Sequence, residues 1–198
     1  MKISFANVLA DLCMKIPGGN VDVVTSALGS DSRIGRKYLT GGMGFAGPCF
    51  PRDNVALDYF GKKVGADTKL LKENHDYNER LNSKIFDNLL QHVKNCKKVC
   101  VLGLSYKPKS FLIEKSPGLS LTNLLFEKGF FVKCFDPMAN NEAKAVLPKD
   151  IEICETIDSA LTNIDAVFIA TPDGQFVDSI GKIEKDVTVI DLWRYIDK

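Results

Sequence analysis

The fold of this chain is constrained most by a change of pattern near residue 97, where helical periodicity gives way to short apolar runs. Val99 to Leu102 and Ala166 to Ala170 are continuous apolar segments, which are typical of strands buried on both faces of a parallel sheet. Further strands alternate with helical stretches after Ser116. The pattern therefore predicts a doubly wound α/β domain with a parallel sheet over residues 96–198.

The first part of the chain, residues 1–95, has helical periodicity instead. Apolar side chains recur at helical spacing over Phe5–Ile16 and again over Leu70–Val93. Asn20 is expected to cap a helix over Val21–Leu28. No capping residue precedes the first helix, which we interpret as the later part of a longer helix. An all-helical domain is therefore predicted, joined to the sheet domain by a short charged segment.

Composition excludes several classes of protein. Lysine and arginine number 26 and aspartate and glutamate 25, so a net charge of +1 offers no general attraction to nucleic acid or to an anionic membrane. No apolar run is long enough for a membrane span, and no signal peptide is recognisable, so we expect a cytoplasmic protein. Six cysteines without a C-x-x-C pair indicate reduced thiols. His75 and His92 are too few and too far apart for a metal cluster, so no metal site is predicted.

The chemistry is expected in the segment Gly41–Asp53, which has four glycines in the seven residues that begin it. Cys49 precedes a helix that should start at Pro51, where backbone N–H groups favour a thiolate. A thiolate can attack an aldehyde, and the thiohemiacetal can give up hydride to a nicotinamide. A carboxylate such as Asp53 can then orient the water that hydrolyses the thioester. A buried structural role is expected for the other cysteines, which are Cys13, Cys96, Cys100, Cys134 and Cys154.

The same segment also spells the dinucleotide fingerprint G-x-G-x-x-G between Gly42 and Gly47. That fingerprint needs a buried strand before it and a helix that opens at its third glycine. Here the stretch Arg36–Thr40 precedes the glycines and Pro48 follows them, so we do not expect the loop to hold a dinucleotide. Asp136 ends the second predicted strand, where a ribose-binding acid can lie. Because no Gly-rich turn precedes it, we favour a capping or turn role for Asp136.

Three stretches of the sequence carry a family resemblance. Asp31–Gly35, Tyr38–Leu39 and Gly42–Asp53 together look like the cysteine-loop signature GxGFGGxCFPKD of the UDP-glucose/GDP-mannose dehydrogenase family. Val101–Pro108 resembles the GLAFKP of that family's UDP-binding domain, and Phe135–Pro137 resembles its YDP. The resemblance runs through the whole chain in order.

The resemblance implies a helical dimerisation domain followed by a Rossmann-like domain that binds a nucleotide sugar. It also implies an NAD-dependent oxidation of UDP-glucose to UDP-glucuronate, for polysaccharide precursor synthesis, by a homodimer. The family's N-terminal NAD-binding domain, with its catalytic lysine, asparagine and glutamate, has no counterpart in the sequence. We therefore expect the chain to be a fragment that binds a UDP-sugar and is inactive on its own.

Site residues follow from the resemblance position by position. Cys49 matches the family's nucleophile and Asp53 a water-orienting carboxylate, and Cys49 and Arg52 are implied to lie near the cofactor. Arg33 matches an arginine that reaches the nucleotide sugar of the neighbouring subunit, and Lys107 is expected to contact a phosphate or sugar oxygen. The residues expected to bind substrate are Arg33, Tyr38, Leu39, Thr40, Gly42, Gly44, Phe45, Ala46, Tyr106, Lys107 and Arg194.

Departures from the family pattern leave alternatives open. The family's TDDxRE stretch reads Ser110–Lys115 here, so Glu114 stands where an arginine is expected near the cofactor pyrophosphate. Arg194 lies one place later than the family's arginine. One alternative is therefore a degenerate, non-catalytic nucleotide-sugar-binding or dimerisation module, and another is a GDP-mannose dehydrogenase. A cysteine hydrolase would need His75 or His92 as its base, and both lie in a helical packing pattern.

Overall fold

The computed structural model describes residues 1–181, 183 and 186–196. The chain forms two compact units, one of Met1–Phe45 with Cys49–Ser83 and the other of Ala46–Pro48 with Lys84–Lys198. One helix, Lys69–Leu90, is continuous through the point at which the units divide. The domain boundary predicted between residues 95 and 96 stays a prediction.

The first unit is helical, as predicted. Its helices are α1 (Lys2–Met14), α2 (Val21–Gly29), α3 (Phe50–Lys63) and the long α4 (Lys69–Leu90). Asn20 caps α2, because its Oδ1 accepts hydrogen bonds from the N–H groups of Asp22 at 2.9 Å and Val23 at 3.2 Å. These bonds satisfy two donors that have no partner inside the helix, and the predicted cap is confirmed.

Helix α1 packs through its small and polar side chains. Ala6 and Asn7 are buried, whereas the Phe5 side chain is 53% exposed. The Gly-rich loop approaches the buried face closely, since a Cβ at Gly41 would lie 2.9 Å from the Cβ of Ala10. The apolar stripe that indicates this helix in the sequence therefore remains on the surface of the unit.

Among the described residues, the second unit contains a five-stranded sheet in which all paired strands are parallel. Its strands are β1 (Lys98–Leu102), β2 (Phe131–Phe135), β3 (Glu152–Ile153), β4 (Ala166–Ile169) and β5 (Thr188–Asp191). Its helices are α5 (Pro117–Glu127), α6 (Asn140–Lys144), α7 (Ile157–Leu161) and α8 (Gly174–Ile180). The order β3-β2-β1-β4-β5 is doubly wound, so the predicted fold class is confirmed. The sequence pattern favours a last helix over Phe176–Ile183, whereas α8 ends at Ile180. Lys182 lies outside the described residues.

Strand β1 lies at the centre of the sheet, and β4 is its neighbour on one side. Val99 to Leu102 and all of β4 are fully buried, which agrees with their continuous apolar sequences. Val99 pairs with Ala166 and Leu102 with Ile169. The strand order reverses between β1 and β4, and ligands of such sheets bind beyond the carboxyl ends of the strands at this point.

Candidate active site

Cys49 lies at the N-terminus of α3, as predicted. It is the residue that precedes the helix, and its carbonyl accepts the first helical hydrogen bond from the Asp53 N–H at 2.8 Å. The helix begins at Phe50, and Pro51 occupies its first turn, where a missing N–H leaves no helical bond unmade. The thiol of Cys49 is therefore exposed beside the partial positive charge of a helix start.

All six cysteines lie within the described residues and are free thiols, of which Cys49 is the exposed one. Burial raises the pKa of Cys100 well above its ordinary value and that of Cys134 to about 12, so both thiols stay protonated. Burial also raises the pKa of Cys154 and of the half-buried Cys96. Cys100, Cys134 and Cys154 are buried, as predicted, whereas Cys13 and Cys96 are only half-buried, so the prediction of burial is wrong for these two.

Asp53 lies one helical turn after Cys49 and is paired with its neighbour. The Arg52 Nε lies 3.3 Å from the Asp53 Oδ1, and both side chains are mostly exposed. An exposed pair of this kind contributes little to stability. The pair matters for the position of the two side chains. The Arg52 guanidinium, which the sequence places near Cys49, is bonded to the Asp53 carboxylate.

Asp53 also lines a pocket of about 360 Å³ inside the first unit. Its other lining residues include apolar side chains and one lysine, and among them are Tyr38, Phe45, Phe50, Leu57 and Lys2. The rings of Tyr38 and Phe50 lie 5.9 Å apart at 57°, a favourable tilted arrangement. Tyr38 has a φ of 65°, which is strained for a bulky residue and is a backbone state common at functional sites. An apolar pocket with one carboxylate suits an organic ligand that has polar groups at one end.

Three asparagines hold the backbone of the Gly-rich loop, and we name Asn7, Asn78 and Asn82 the asparagine cluster. The N–H groups of Gly42 and Phe45 donate to Asn7 Oδ1 and Asn78 Oδ1, each at 2.7 Å. The Gly44 N–H donates to Asn82 Oδ1 at 3.1 Å. The sequence pattern does not indicate a role for these three asparagines. The one available signal is that Asn78 and Asn82 lie four positions apart on α4, a spacing that places them on one helical face.

The asparagine cluster changes what the loop can offer to a ligand. The N–H groups of Gly42, Gly44 and Phe45 are occupied by side chains of the same unit, so they are not free to bind phosphate. Substrate contacts of these three residues stay a prediction and would have to use other atoms. No strand precedes the loop, so the rejection of its G-x-G-x-x-G as a dinucleotide fingerprint is supported.

The remaining predicted residues before the loop differ in exposure. Leu39 is buried at 5% exposure, whereas Thr40 and Arg33 are exposed. Arg33 makes a two-point contact with Asp31, through Nε to Oδ1 at 3.0 Å and Nη2 to Oδ2 at 2.6 Å. The Arg33 guanidinium holds the pKa of the Asp31 carboxyl below its ordinary value, and the carboxylate raises the pKa of Arg33.

In the second unit, Asp136 organises the carboxyl end of the sheet. Its Oδ2 accepts hydrogen bonds from the Leu104 N–H at 2.8 Å, the Ser105 N–H at 2.9 Å and the Ser105 hydroxyl at 2.8 Å. Its Oδ1 accepts the N–H groups of Met138 and Ala139, both at 2.9 Å. The turn role that the sequence favours for Asp136 is confirmed, and it orders the segment that leads to Lys107.

Tyr106 and Lys107 follow this segment. Lys107 is exposed, and its Nζ lies 5.3 Å from the centre of the Tyr106 ring. The same ring packs against Gly47, where a φ of +84° and a Cβ distance of only 2.6 Å to the ring require glycine. The Gly47 N–H donates to the Glu114 carbonyl at 2.9 Å, while the Glu114 carboxylate is exposed. Ala46, in the same short segment, is half-buried.

Arg194 lies just beyond β5 and is half-buried, with a φ of 51°. The Asp191 Oδ1 accepts the Trp193 N–H at 2.9 Å, and the Trp193 Nε1 donates to the Ala170 carbonyl at 2.8 Å. These bonds fix the turn that carries Arg194 at the carboxyl edge of the sheet, where ligands of this fold bind.

The carboxyl end of β1 packs closely against the start of α5. A Cβ at Gly118, in the first turn of α5, would overlap the carbonyl oxygen of Gly103, and a Cβ at Gly103 would overlap Thr171. The Ser116 Oγ accepts the Leu119 N–H at 3.3 Å, which occupies a donor of the helix start. These contacts leave no room for a side chain at Gly103 or Gly118, so both positions require glycine.

Neither a metal site nor a membrane-spanning helix is found in the described part of the chain. No group of histidine, cysteine, aspartate and glutamate side chains is arranged to hold a metal ion there. His75 lies in α4 with its Nδ1 buried and without a hydrogen-bond partner. No helix of that part is both long and apolar enough to cross a bilayer.

Comparison with known proteins decides the family. The model of the UDP-glucose/GDP-mannose dehydrogenase family, central domain, matches residues 1–80, and that of the same family's UDP binding domain matches residues 100–198. The chain belongs to this family. The resemblance stated from the cysteine loop is thereby confirmed.

Individual relatives agree with this assignment. The chain is 38% identical over 172 residues to UDP-glucose 6-dehydrogenase TuaD of Bacillus subtilis, which covers 86% of this chain and 37% of the relative. It is 35% identical over 204 residues to UDP-glucose 6-dehydrogenase of Rickettsia felis, and this match covers 99% of this chain and 45% of the relative. A UDP-glucose dehydrogenase structure from Pyrobaculum islandicum matches with a TM-score of 0.85 and 32% identity over 99% of this chain and 45% of that one. The chain thus spans less than half the length of each.

Proposed function

We propose that this chain supplies the nucleophilic cysteine and the UDP-binding domain of an NAD-dependent UDP-glucose 6-dehydrogenase, which makes UDP-glucuronate for polysaccharide precursors. The observation that carries the proposal is the exposed Cys49 at the start of α3, in a chain that matches both family domains and relatives named UDP-glucose 6-dehydrogenase. The buried state of Cys100, Cys134 and Cys154 supports the choice of thiol.

The proposed chemistry uses two side chains of α3. The Cys49 sulfur attacks the aldehyde carbon that replaces the primary alcohol of the sugar, and a carbon–sulfur bond forms. NAD, when bound, would supply acceptance of two hydrides, one lost as the primary alcohol becomes the aldehyde and one lost as the thiohemiacetal becomes the thioester. Asp53 orients a water that attacks the thioester carbon and releases the carboxylate and the free thiol. Arg52 holds the Asp53 carboxylate in place, as their 3.3 Å contact supports.

Substrate binding is proposed at two places. In the second unit, Lys107 offers a point charge to the diphosphate, and Tyr106 and Arg194 lie at the same carboxyl edge of the sheet. In the first unit, the strained Tyr38 and the exposed Arg33 carry the contacts proposed for the nucleotide sugar. Leu39, Thr40 and the loop residues Gly42, Gly44, Phe45 and Ala46 complete the proposed set.

A homodimer is part of the proposal. The first unit exposes large apolar side chains on α1 and α3, including Phe5 at 53%, Tyr59 at 62% and Phe60 at 61%. Apolar surface of this extent marks an interaction site. In a two-fold dimer, a second copy of the chain would cover this apolar surface. Each copy would then contribute its Arg33 to the nucleotide sugar of the other, as the family resemblance implies.

The test combines ligand binding with turnover. Calorimetry with UDP-glucose, UDP and GDP-mannose measures binding, and NADH absorbance measures turnover with and without the part of the Rickettsia felis enzyme that this chain does not match. We expect weak binding of UDP-glucose and UDP by the chain, no turnover alone, and turnover after the addition. Cys49→Ser should abolish turnover and keep binding, whereas the matched variant Cys13→Ser should keep both. NADH formation by the chain alone would contradict the assumption that NAD binds on the part of the enzyme that this chain does not match. Preferential binding of GDP-mannose would favour the GDP-mannose dehydrogenase alternative.

A non-catalytic binding module is the second candidate. The exposed Glu114 carboxylate favours it, because a negative charge would repel the phosphates of a cofactor. In that case UDP-glucose would bind, and the added domain would produce no NADH at any cofactor concentration. A Glu114→Arg variant that gains turnover would identify the carboxylate as the cause.

A further inference from the structure

We propose that the asparagine cluster positions the reacting cysteine, by fixing the backbone of Gly42–Phe45 from two helices. The proposal rests on the proposed function in one respect, that Cys49 is the reacting thiol. The hydrogen bonds of Asn7, Asn78 and Asn82 go to the loop backbone and not to Cys49 or Asp53, so we treat them as positioning residues. Each acts through the loop that leads into the start of α3.

Asn78 bonds both backbone polar groups of one loop residue, Phe45. Its Oδ1 accepts the Phe45 N–H at 2.7 Å, and its Nδ2 donates to the Phe45 carbonyl at 2.8 Å. The side-chain amide therefore satisfies both polar groups of one residue, as a neighbouring strand would. Asn78 is only 4% exposed, so water does not replace these bonds.

The other two asparagines extend the same contact along the loop. The Gly42 N–H donates to Asn7 Oδ1 at 2.7 Å, and the Asn7 Nδ2 donates to the Met43 carbonyl at 3.1 Å. The Gly44 N–H donates to Asn82 Oδ1 at 3.1 Å. Four consecutive loop residues are thus bonded to side chains of α1 and α4, although the loop has no regular structure of its own.

The chemistry explains why amides occupy these positions. A glycine-rich loop loses much conformational entropy when it becomes ordered, so it needs partners outside itself. An amide offers one acceptor and one donor, which is what a peptide group requires. A carboxylate at the position of Asn78 would still accept the Phe45 N–H but would face the Phe45 carbonyl with a second acceptor. Asn78→Asp is therefore nearly isosteric and replaces the donor by an acceptor.

Loop order affects Cys49 because only three residues separate it from Phe45. A loosened loop frees the Cys49 backbone from its capping conformation, in which its carbonyl accepts the Asp53 N–H and its thiol is exposed beside the helix start. We therefore expect the cluster to control the rate at which Cys49 reacts.

The experiment measures alkylation by iodoacetamide near neutral pH, followed by mass spectrometry, on the full chain without substrate. Cys13, half-buried in α1, reports opening of the whole unit, so the result is the ratio of the Cys49 rate to the Cys13 rate. Asn78→Asp should lower this ratio about three- to tenfold. Leu81→Ala is the matched control, since Leu81 is buried on α4 at 6% exposure and its loss lowers Tm while the amides stay.

The proposal is supported if Asn78→Asp changes the ratio well below its Tm and Leu81→Ala does not. It is overturned if the ratio is unchanged in Asn78→Asp, or if Leu81→Ala changes it equally. If Asn78→Asp does not fold, Asn82→Ala removes only the Gly44 bond and decides in the same way, with a smaller expected fall. A changed ratio without any turnover in the reconstituted assay would refute the proposed function and leave this inference standing.

Discussion

Replacing Gly44 by alanine should be destabilising only while Asn78 is present. A Cβ at Gly44 would lie 2.7 Å from Asn78 Oδ1, 3.1 Å from its Cγ and 3.3 Å from its Nδ2. All three obstructing atoms belong to one side chain, and that side chain holds Phe45 by two hydrogen bonds. Gly44→Ala must therefore displace the amide, which adds an overpacking cost of about 1–3 kcal/mol to the weakened bonds.

The second perturbation removes the obstruction. Asn78→Ala leaves the buried N–H and carbonyl of Phe45 without partners, at about 1–3 kcal/mol for each group. In that background an alanine at position 44 meets no amide. Gly44 is not among the residues with positive φ, so Gly44→Ala should then be neutral or stabilise by about 0.4–1 kcal/mol through the unfolded chain. The double variant should be about 2 kcal/mol more stable than the sum of the single effects predicts.

Urea unfolding of the wild type, the two single variants and the double variant measures this coupling energy. Circular dichroism at 222 nm follows the helices. The fluorescence of Trp193, the single tryptophan, follows the second unit and serves as an internal control. Additivity of the two substitutions within about 0.5 kcal/mol would refute the reasoning, because it would mean that Gly44 and Asn78 do not share the space that the structure gives them.

Three further predictions concern the sheet and the apolar surface. Asp136→Asn places an amide N–H₂ against backbone donors and should lower the free energy of unfolding by about 2–4 kcal/mol in the Trp193 fluorescence assay; an unchanged midpoint would contradict the turn role. The N–H groups of Lys98 and Lys97 hold the pKa of the Asp165 carboxyl below its ordinary value, so its stabilising effect is present above the ordinary pKa and is lost as the pH falls through the lowered one. Asp165→Asn should therefore unfold with a weaker dependence on acid, and equal acid profiles would disprove the link. Phe5→Glu should convert a dimer to a monomer in sedimentation at micromolar concentration, whereas Phe111→Glu, also at a site 53% exposed, should not; a monomeric wild type would remove the dimer proposal.

Local patterns in the amino-acid sequence are enough to predict most elements of this fold and the position of Cys49 before a helix. The apolar runs of β1 and β4 are buried on both faces, and such strands are recognisable because neither face meets water. Cys49 could be placed before a helix because Pro51 is tolerated in a first helical turn and unfavourable further in. The family signature is also local, since it occupies one short stretch of chain.

The way in which the Gly-rich loop is held depends on contacts between distant parts of the chain, which form only in the folded protein. Asn78 and Phe45 are 33 positions apart, and Gly44 and Asn82 are 38 apart. In a helical pattern an asparagine is only a weak helix former, and nothing near it in the sequence shows that its amide meets a distant peptide group. The partners of Arg33 and Arg52 are nearby aspartates, yet their exposed charges allow many geometries that the sequence does not distinguish.

The packing of α1 has the same explanation. Its apolar stripe predicts a helix correctly, but the face that packs in the unit carries Ala6 and Asn7, while Phe5 is exposed. Periodicity records how apolar side chains are spaced and not which surface covers them. The choice of face depends on the close approach of Gly41 to Ala10, a contact between distant segments that exists only once the chain has folded.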